Sequence, residues 1–309
     1  MNNGIGIAAG LLFIGTIIGS VLLTEKMNVE KPEQQVAVSS QSSGTQIAYN
    51  PPSLDDVPEG PMGEAITYGY NLVNETYSVA DPYVGNKLSC TSCHAGAGLD
   101  EDSSSFVGVT AVYPQYIARS GKIVTIEDRI NGCMVRSMNG EKLELGSDEM
   151  KAMVAYFTYI SEGIPVGADL PWRMKNSMDD VPTPSVADGE ELYSKSCIAC
   201  HAGDGSGTDP NTGPALWGDN SFNDGAGLAR VSKMAGYIQQ NMPAGAGGTL
   251  SDQDAADLAA FILMQDRPEW KNHDKDWPNG GKPNDTMHKE RREGIKNGTI
   301  NWDEVLSSN

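Results

Sequence analysis

The chain has 309 residues, and its 22 Lys and Arg residues against 41 Asp and Glu residues leave a formal net charge of −19. Such an acidic chain argues against general binding to nucleic acids or to anionic lipid, both of which require a basic face. Hydrophobic residues make up only 39% of the sequence, which is low for a chain long enough to form two domains. A large apolar cofactor would supply the missing share of the core.

The N-terminal residues predict an export segment rather than part of a globular domain. Residues 5–23 carry no charge, and at about 1.5 Å per helical residue they nearly span the hydrocarbon of a bilayer. We favour a retained membrane anchor over residues 1–26, because no clear small-residue cleavage site follows; a cleaved signal peptide is the alternative. The polar residues 27–58 predict a flexible tether. Any membrane contact is therefore expected only through the N-terminal segment.

Two copies of the spacing C-x-x-C-H occur in the chain: Cys90, Cys93 and His94 form one, and Cys197, Cys200 and His201 form the other. This spacing is the attachment motif of c-type haem, in which two thiols bind the vinyl groups of one porphyrin edge and the adjacent His binds the iron. Disulfides, a zinc site or a thioredoxin-like redox pair are the alternatives. The remaining histidines, His273 and His288, lie far along the chain, so a zinc site has no partners nearby in sequence. We therefore expect two covalently bound haems c in an exported chain on the periplasmic side.

The two halves that carry these motifs resemble each other. CHAGAG at 93–98 matches CHAGDG at 200–205, and LGSDEMKAMVAYF at 145–157 matches TLSDQDAADLAAFI at 249–262. In the segments 145–157 and 249–262, a Ser is followed by acidic residues and then by apolar residues at helical spacing, which predicts a helix with a Ser N-cap. A repeat of this length indicates a duplicated domain. We predict an all-α fold of two tandem class I cytochrome c domains, each built around one haem.

The composition shifts along the chain suggest where these domains begin and end. We predict cytochrome domains at 59–162 and 188–266, a stiff Pro-rich linker at 163–187, and a C-terminal tail at 267–309. The tail contains Trp270, Trp277 and Trp302. Since exposed clusters of Trp are uncommon, we expect the tail to pack over a domain.

Each haem iron needs a second axial ligand from elsewhere in its half. In the second half, Met242 precedes a proline ahead of the last predicted helix, which is the usual place for a thioether ligand, whereas Met234 fits core packing. In the first half, Cys133 and Met138 both lie at suitable positions. A thiolate is the stronger donor, but both ligand types are known, and the residues alone leave the two as alternatives.

Four stretches carry a likeness to a known family: LSCTSCHAGAG, IARSGKIVTIEDRINGCMVRSMNG, LWGDNSFNDGAGLARVSKMAGYIQQNMP and DWPNGGKP. With them the chain resembles the dihaem thiosulfate dehydrogenases, which are distantly related to a cytochrome subunit of the sulfur-oxidising multienzyme system. The resemblance implies that His94 and Cys133 bind the first iron, and that His201 and Met242 bind the second. Some family members have a Lys beside this Met as an alternative ligand. Here that position is Asn241, so no Lys–Met exchange is expected.

The resemblance also implies an anion site beside the first haem. Two family arginines that hold the substrate match Arg119 and Arg129, and a family serine matches Ser137. If residues 126–138 are helical, the residues on one face are Arg129, Cys133, Arg136 and Ser137. Guanidinium groups offer paired planar donors that suit sulfonate oxygens. Propionate pairing or surface exposure is the alternative for these arginines, and for Arg136 it is the preferred interpretation.

The implied reaction is the oxidative coupling of two thiosulfates to tetrathionate. Arg119 and Arg129 would orient the anions, while Cys133 would leave the first iron and either open a coordination position or carry a sulfur-linked intermediate. Electrons would pass from the first haem to the second, and then to an external acceptor such as another exported cytochrome or a high-potential redox protein. The alternatives are an electron carrier without its own substrate, a sulfur-carrier subunit, and the same enzyme acting mainly as a tetrathionate reductase.

Overall fold

A computed structural model describes residues 47–173 and 176–307 of the chain. The helices are α1 (Pro61–Asn74), α2 (Thr76–Val79), α3 (Val109–Val112), α4 (Ile126–Arg136), α5 (Asp148–Ile160), α6 (Val186–Ser196), α7 (Ile198–His201), α8 (Val231–Asn241), α9 (Asp252–Leu263), α10 (Lys289–Lys296) and α11 (Trp302–Leu306). Across these described ranges, no helix combines the length and hydropathy needed to cross a bilayer. The apolar run 5–23, predicted as an anchor or signal, lies outside the described residues.

In the first half, α1 crosses α5 at a very close approach. A Cβ atom on Gly69 would lie only 2.0 Å from the carbonyl oxygen of Ala152, so a glycine is required at this crossing. Helix α5 begins where the Ser147 side chain accepts a hydrogen bond from the Met150 amide, as the N-cap pattern predicts. The buried face of α5, which includes Tyr156, then packs onto α1.

The second half repeats this arrangement with α6 and α9. A Cβ atom on Gly189 would lie 2.1 Å from the carbonyl oxygen of Asp257. Helix α9 begins with a reciprocal cap between Ser251 and Asp254. The equivalent helix pairs confirm the predicted, mainly helical fold of two similar domains.

A small antiparallel hairpin in the first half is an addition to the all-α prediction. Its strands are β1 (Gln115–Ile117) and β2 (Lys122–Val124), with Tyr116 opposite Ile123. A turn at Gly121, with φ of +63°, joins the two strands. The hairpin leads directly into α4, so it places Arg119 in its turn and Arg129 on the following helix.

The end of the predicted tether and part of the predicted linker pack against the first half. The Tyr49 hydroxyl donates to the Leu99 carbonyl oxygen at 2.6 Å, and its ring meets Trp172 edge-on with 5.2 Å between ring centroids. Trp172 is 1% exposed, and its Nε1 donates to the carbonyl oxygen of Val107 at 2.9 Å. The tether expectation therefore does not extend to residues 47–58, because aromatic anchors tie them to the core.

The C-terminal tail contacts both halves rather than a single domain. On the second half, the Trp270 amide donates to Asp224 Oδ1 at 2.7 Å, while Arg292 Nη1 donates to Asp224 Oδ2 at 3.0 Å. On the first half, the Trp277 amide donates to the Arg119 carbonyl oxygen at 2.7 Å. The tail thus reaches the hairpin turn that carries one of the predicted anion-binding residues.

Candidate haem sites and a cluster of arginines

The first C-x-x-C-H motif begins in a short 3-10 turn at Cys90–Ser92. The His94 Nδ1 atom lies 2.7 Å from the carbonyl oxygen of Ser104, a residue held at a left-handed φ of 52°. A ring that donates through Nδ1 presents an unprotonated Nε2, which is the form that binds a metal. The fold therefore holds the His94 ring in the form that binds a metal through Nε2.

The second motif has the same imidazole arrangement and faces a large cavity. The His201 Nδ1 atom lies 2.8 Å from the carbonyl oxygen of Pro214. A cavity of about 640 Å³, within the usual range for cofactor pockets, is lined by Cys197, Cys200, His201, Met234 and Met242, among others. Met234 is 3% exposed and also belongs to the core, whereas Met242 directly follows α8. The structure thus brings the predicted ligands His201 and Met242 to one cavity.

Burial also changes the titration of the first motif. It raises the pKa of Cys93 to about 12 and lowers the pKa of His94 to about 4, so the imidazole is neutral at physiological pH. Cys93 itself lines the cavity that contains His201. All five cysteines are free, and the described residues contain no group of three or more His, Cys, Asp and Glu arranged for a metal ion. The donor sets therefore fit covalently bound haem c and do not fit zinc.

Cys133 lies on α4, one turn after Arg129. The helix begins at Thr125, which caps it reciprocally with Asp128, and Arg129 Nη1 donates to Cys133 Sγ at 2.7 Å. The electrostatic interaction with Cys133 raises the pKa of Arg129 above its usual value. The competing candidate Met138 follows the helix, is 2% exposed, and packs in the hydrophobic core. The structure thus places the predicted site residues Cys133 and Arg129 within hydrogen-bond distance of each other.

Arg119 and Arg136 converge on one carboxylate of the tail. Arg119 donates through Nε and Nη2 to Asp276 Oδ2 at 3.0 and 2.7 Å, and Arg136 Nη2 donates to Asp276 Oδ1 at 2.8 Å. The Asp276 side chain is 4% exposed. Desolvation by burial lowers the pKa of Arg119, and the nearby Arg136 and Arg129 lower it further. Arg136, predicted to be a surface residue or a propionate partner, therefore lies close to Arg119 and Arg129, and these three residues are here named the arginine cluster.

Further residues near this cluster are not predicted from the sequence. Arg173 Cζ lies 6.0 Å from the centroid of the Tyr113 ring, and burial lowers the pKa of Arg173. Arg173 comes from the predicted linker, and the only sequence signal for the tail residue Asp276 is its place in DWPNGGKP. Predicted Ser137 caps the C-terminal end of α4, and its carbonyl oxygen accepts from Asn86 Nδ2 at 2.8 Å. The role of the Ser137 hydroxyl stays a prediction.

A chain of hydrogen bonds connects the two halves near their proposed ligands. The Asn241 side chain, next to Met242, accepts from Ser103 Oγ at 2.6 Å and donates to Asn176 Oδ1 at 2.9 Å. Asn176 Nδ2 in turn donates to Ser104 Oγ at 2.7 Å. Because the Ser104 carbonyl oxygen is the partner of His94, this network runs from the Met242 loop to the first motif.

Comparisons with known proteins match each half to a cytochrome domain. Residues 81–166 match the family model described as SoxA/TsdA, cytochrome c domain. Residues 184–262 match the model described as cytochrome c oxidase, cbb3-type, subunit III. Both C-x-x-C-H motifs lie inside these matches, which supports covalent haem c in the two domains.

Whole-chain comparisons identify the family. The chain is 39% identical over 257 residues to a thiosulfate dehydrogenase of Psychrobacter arcticus, covering 80% of this chain and 79% of that protein. The chain belongs to the thiosulfate dehydrogenase family. A second thiosulfate dehydrogenase, from Allochromatium vinosum, is 40% identical over 230 residues, covering 72% of this chain and 85% of the relative. The predicted family membership is therefore confirmed.

A solved structure of the same family has a similar fold. The thiosulfate dehydrogenase TsdBA from Marichromatium purpuratum, in its as-isolated form, superposes with a TM-score of 0.69 at 32% identity. The match covers 73% of this chain and 50% of the TsdBA chain, so this chain spans half the length of that relative. For this thiosulfate dehydrogenase family member, the likeness supports the tandem cytochrome fold.

Proposed function

We propose that this protein is a thiosulfate dehydrogenase that couples two thiosulfates oxidatively to tetrathionate. The observation that carries the proposal is the 2.7 Å contact between Arg129 Nη1 and Cys133 Sγ, both of which lie close enough to Cys90 of the first motif to act on it electrostatically. It joins a cation that suits a sulfur oxyanion to a sulfur nucleophile. The family likeness over four-fifths of the chain supports the same activity.

The arginine cluster suits a dianion in an otherwise acidic protein. Burial lowers the pKa of Arg119, and the nearby charges of Arg136 and Arg129 lower it further, while the whole chain carries −19. Local positive charge raises the concentration of an anionic substrate and offsets the repulsion between two of them. We assign substrate binding to Arg119 and Arg129, and we assign Ser137 to the wall of this site at the end of α4.

The reaction balances if Cys133 acts as a nucleophile. The Cys133 thiolate and the outer sulfur of one thiosulfate join in a sulfur–sulfur bond, and the external redox protein takes up the two electrons released. A second thiosulfate then attacks the outer sulfur of this adduct, releases tetrathionate and restores the thiolate. The residues of the chain bind the anions, align the sulfur atoms and supply the nucleophile.

Two haems c would supply one-electron carriers at the two motifs. Cys90 and Cys93 would attach the first, and His94 and Cys133 would hold its iron. Cys197 and Cys200 would attach the second, and His201 and Met242 would hold its iron. Because thiolate ligation lowers a haem potential and Met ligation raises it, electrons would leave through the second half to an external redox protein.

We also propose that the protein works outside the cytoplasm, on the periplasmic side. The support is the pair of haem-attachment motifs together with the uncharged run 5–23, which serves as an export signal or as a membrane anchor. Fractionation of cells that express the full chain separates these cases. Release by osmotic shock indicates a cleaved signal, and retention with the membranes indicates an anchor.

The proposed activity is tested on the purified, haem-loaded protein. Thiosulfate should reduce an added electron acceptor, and tetrathionate should form with one molecule produced for every two thiosulfates consumed and two electrons transferred. Buffer without thiosulfate serves as the control. Full haem loading without any thiosulfate-dependent reduction would show that the protein is an electron carrier instead.

A further inference from the structure

The tail residues 270–279, here named the tail strap, lie over the arginine cluster. The strap is held on the second half by the Trp270 amide and His273 Nε2, each 2.7 Å from Asp224 Oδ1. At its other end, Asn279 Nδ2 donates to the Tyr116 hydroxyl at 3.3 Å, and Pro278 contacts Gly121 in the hairpin turn. The strap therefore spans from the second half to the hairpin of the first.

Both arginines that reach Asp276 also lie on tryptophan rings of the strap. Arg119 Cζ is 4.6 Å from the centroid of Trp277, and Arg136 Cζ is 4.7 Å from the centroid of Trp270. Stacking on an indole ring fixes the plane of a guanidinium group. Hydrogen bonds to a carboxylate fix its rotation within that plane. The strap thus determines the orientation of two arginines that lie on different elements of the first half.

After these contacts with Asp276, Arg119 and Arg136 each keep N–H groups for binding an anion. Arg119 uses Nε and Nη2 for Asp276, and Arg136 uses Nη2. The Nε of Arg136 is buried and has no hydrogen-bond partner among the described residues. Trp277, next to Asp276, has a left-handed φ of 54°, which a bulky residue rarely adopts without compensation from its surroundings.

We propose that Asp276 is a positioning residue for anion binding. It holds Arg119 and Arg136 together despite their repulsion, and Arg136 thereby becomes a third substrate-binding arginine beside Arg119 and Arg129. This inference rests on the proposed thiosulfate dehydrogenase activity. Asp276 itself does not contact the substrate; it acts through the two guanidinium groups that it orients.

The test compares Asp276→Asn with Asp274→Asn in the haem-loaded, full-length protein. Asp274 is exposed on the same strap, so its substitution removes the same charge without touching the arginines. We expect Asp276→Asn to raise the KM for thiosulfate about tenfold, as expected from losing charge-assisted hydrogen bonds, with kcat within about twofold. A merely structural role would lower the amount of active enzyme and thus kcat, with KM unchanged. That result, or identical kinetics for both variants, would overturn the inference.

A double-mutant cycle keeps the inference testable if Asp276→Asn folds poorly. Arg136→Gln alone should raise the KM for thiosulfate, and it should weaken competitive inhibition by sulfate, used as an unreactive dianion. The double variant combines Arg136→Gln with Asp276→Asn. Expressed as free energies, the changes in KM caused by the two substitutions should sum to more than the change in the double variant, because both act through the Arg136 guanidinium group. Wild-type KM and sulfate inhibition in Arg136→Gln would overturn the role of Arg136.

These outcomes are distinguishable from failure of the proposed function. If the wild-type protein does not oxidise thiosulfate, the activity itself is refuted. In that case calorimetric titration with sulfate still tests the strap: weaker binding to Asp276→Asn than to Asp274→Asn supports the positioning role. Equal binding of sulfate by the two variants contradicts it.

Discussion

The two halves of the molecule share one scaffold but surround their candidate distal sulfur atoms with different chemistry. In each half, two helices cross at a glycine, Gly69 or Gly189. In each half, a backbone carbonyl oxygen also accepts a hydrogen bond from the histidine of the C-x-x-C-H motif and so orients its ring. In the first half, Cys133 lies within a helix and accepts a hydrogen bond from Arg129. In the second half, Met242 directly follows α8, and none of the described residues lining its cavity is Lys or Arg.

This difference indicates that the halves have separate tasks. Asp100 and Asp102 line the second cavity, so a thiosulfate dianion is repelled there, whereas the arginine cluster of the first half attracts it. A common fold therefore carries one region whose charges suit anion binding and one whose charges oppose it. The functional contrast lies in the side chains on α4 and the tail, not in the packing of the helices.

The largest expected effect is that of Cys133→Gly. We expect the rate of tetrathionate formation to fall by at least about 10²-fold, because the variant lacks a group that takes part in the chemistry. Electron paramagnetic resonance should show a changed ligand set at only one haem. The matched variant Met242→Gly should slow electron exit and leave the KM for thiosulfate unchanged. Normal tetrathionate formation by Cys133→Gly would refute the role of Cys133.

Removing the guanidinium group beside Cys133 should have the next largest effect. Arg129→Ala should lower kcat/KM for thiosulfate by about 10²-fold, the scale observed for loss of one positioned donor to a developing charge. Steady-state kinetics at constant ionic strength measure this change. Arg291→Ala in the tail is the control, since Arg291 bonds to the Thr286 carbonyl oxygen far from α4 in sequence. An equal, small effect of both substitutions would show that Arg129 does not bind the anion.

The shared scaffold predicts similar costs in the two halves. Gly69→Ala and Gly189→Ala should each lower the free energy of unfolding by about 1–3 kcal/mol, because the added methyl group overlaps a backbone carbonyl group despite better helix propensity. Guanidinium unfolding of the haem-loaded protein measures this loss. Gly203→Ala is the control, since a Cβ atom there meets open space. Equal stability of all three variants would show that the added methyl group does not overlap a carbonyl group at either helix crossing.

The smallest expected effect concerns the contact between the halves. Asn241→Ala removes the side-chain hydrogen bonds to Ser103 and Asn176, which should lower the free energy of unfolding by about 1–2 kcal/mol. The neighbouring Gln240→Ala is the control, because Gln240 is exposed and its side chain bonds to Gln239. Equal midpoints for both variants in guanidinium unfolding would indicate that this network does not stabilise the contact.

Much of the site was predictable because it is local in sequence. The haem motifs are short, and Arg129 and Cys133 are one helical turn apart, so helical periodicity alone brings them together. The N-caps Ser147 and Ser251 mark the start of α5 and α9 for the same reason. The family likeness then favoured Cys133 over Met138, which the residues alone had left open.

The sequence by itself thus determined the cofactor chemistry, the repeated helical scaffold and the pairing of Cys133 with Arg129, since each depends on residues within a few turns of one another. Only the tertiary structure placed Asp276 between Arg119 and Arg136, which lie 157 and 140 residues away. It likewise brought Arg173 from the linker beside Tyr113. Helical and capping rules act over a few residues, whereas contacts of this range depend on the path of the whole chain.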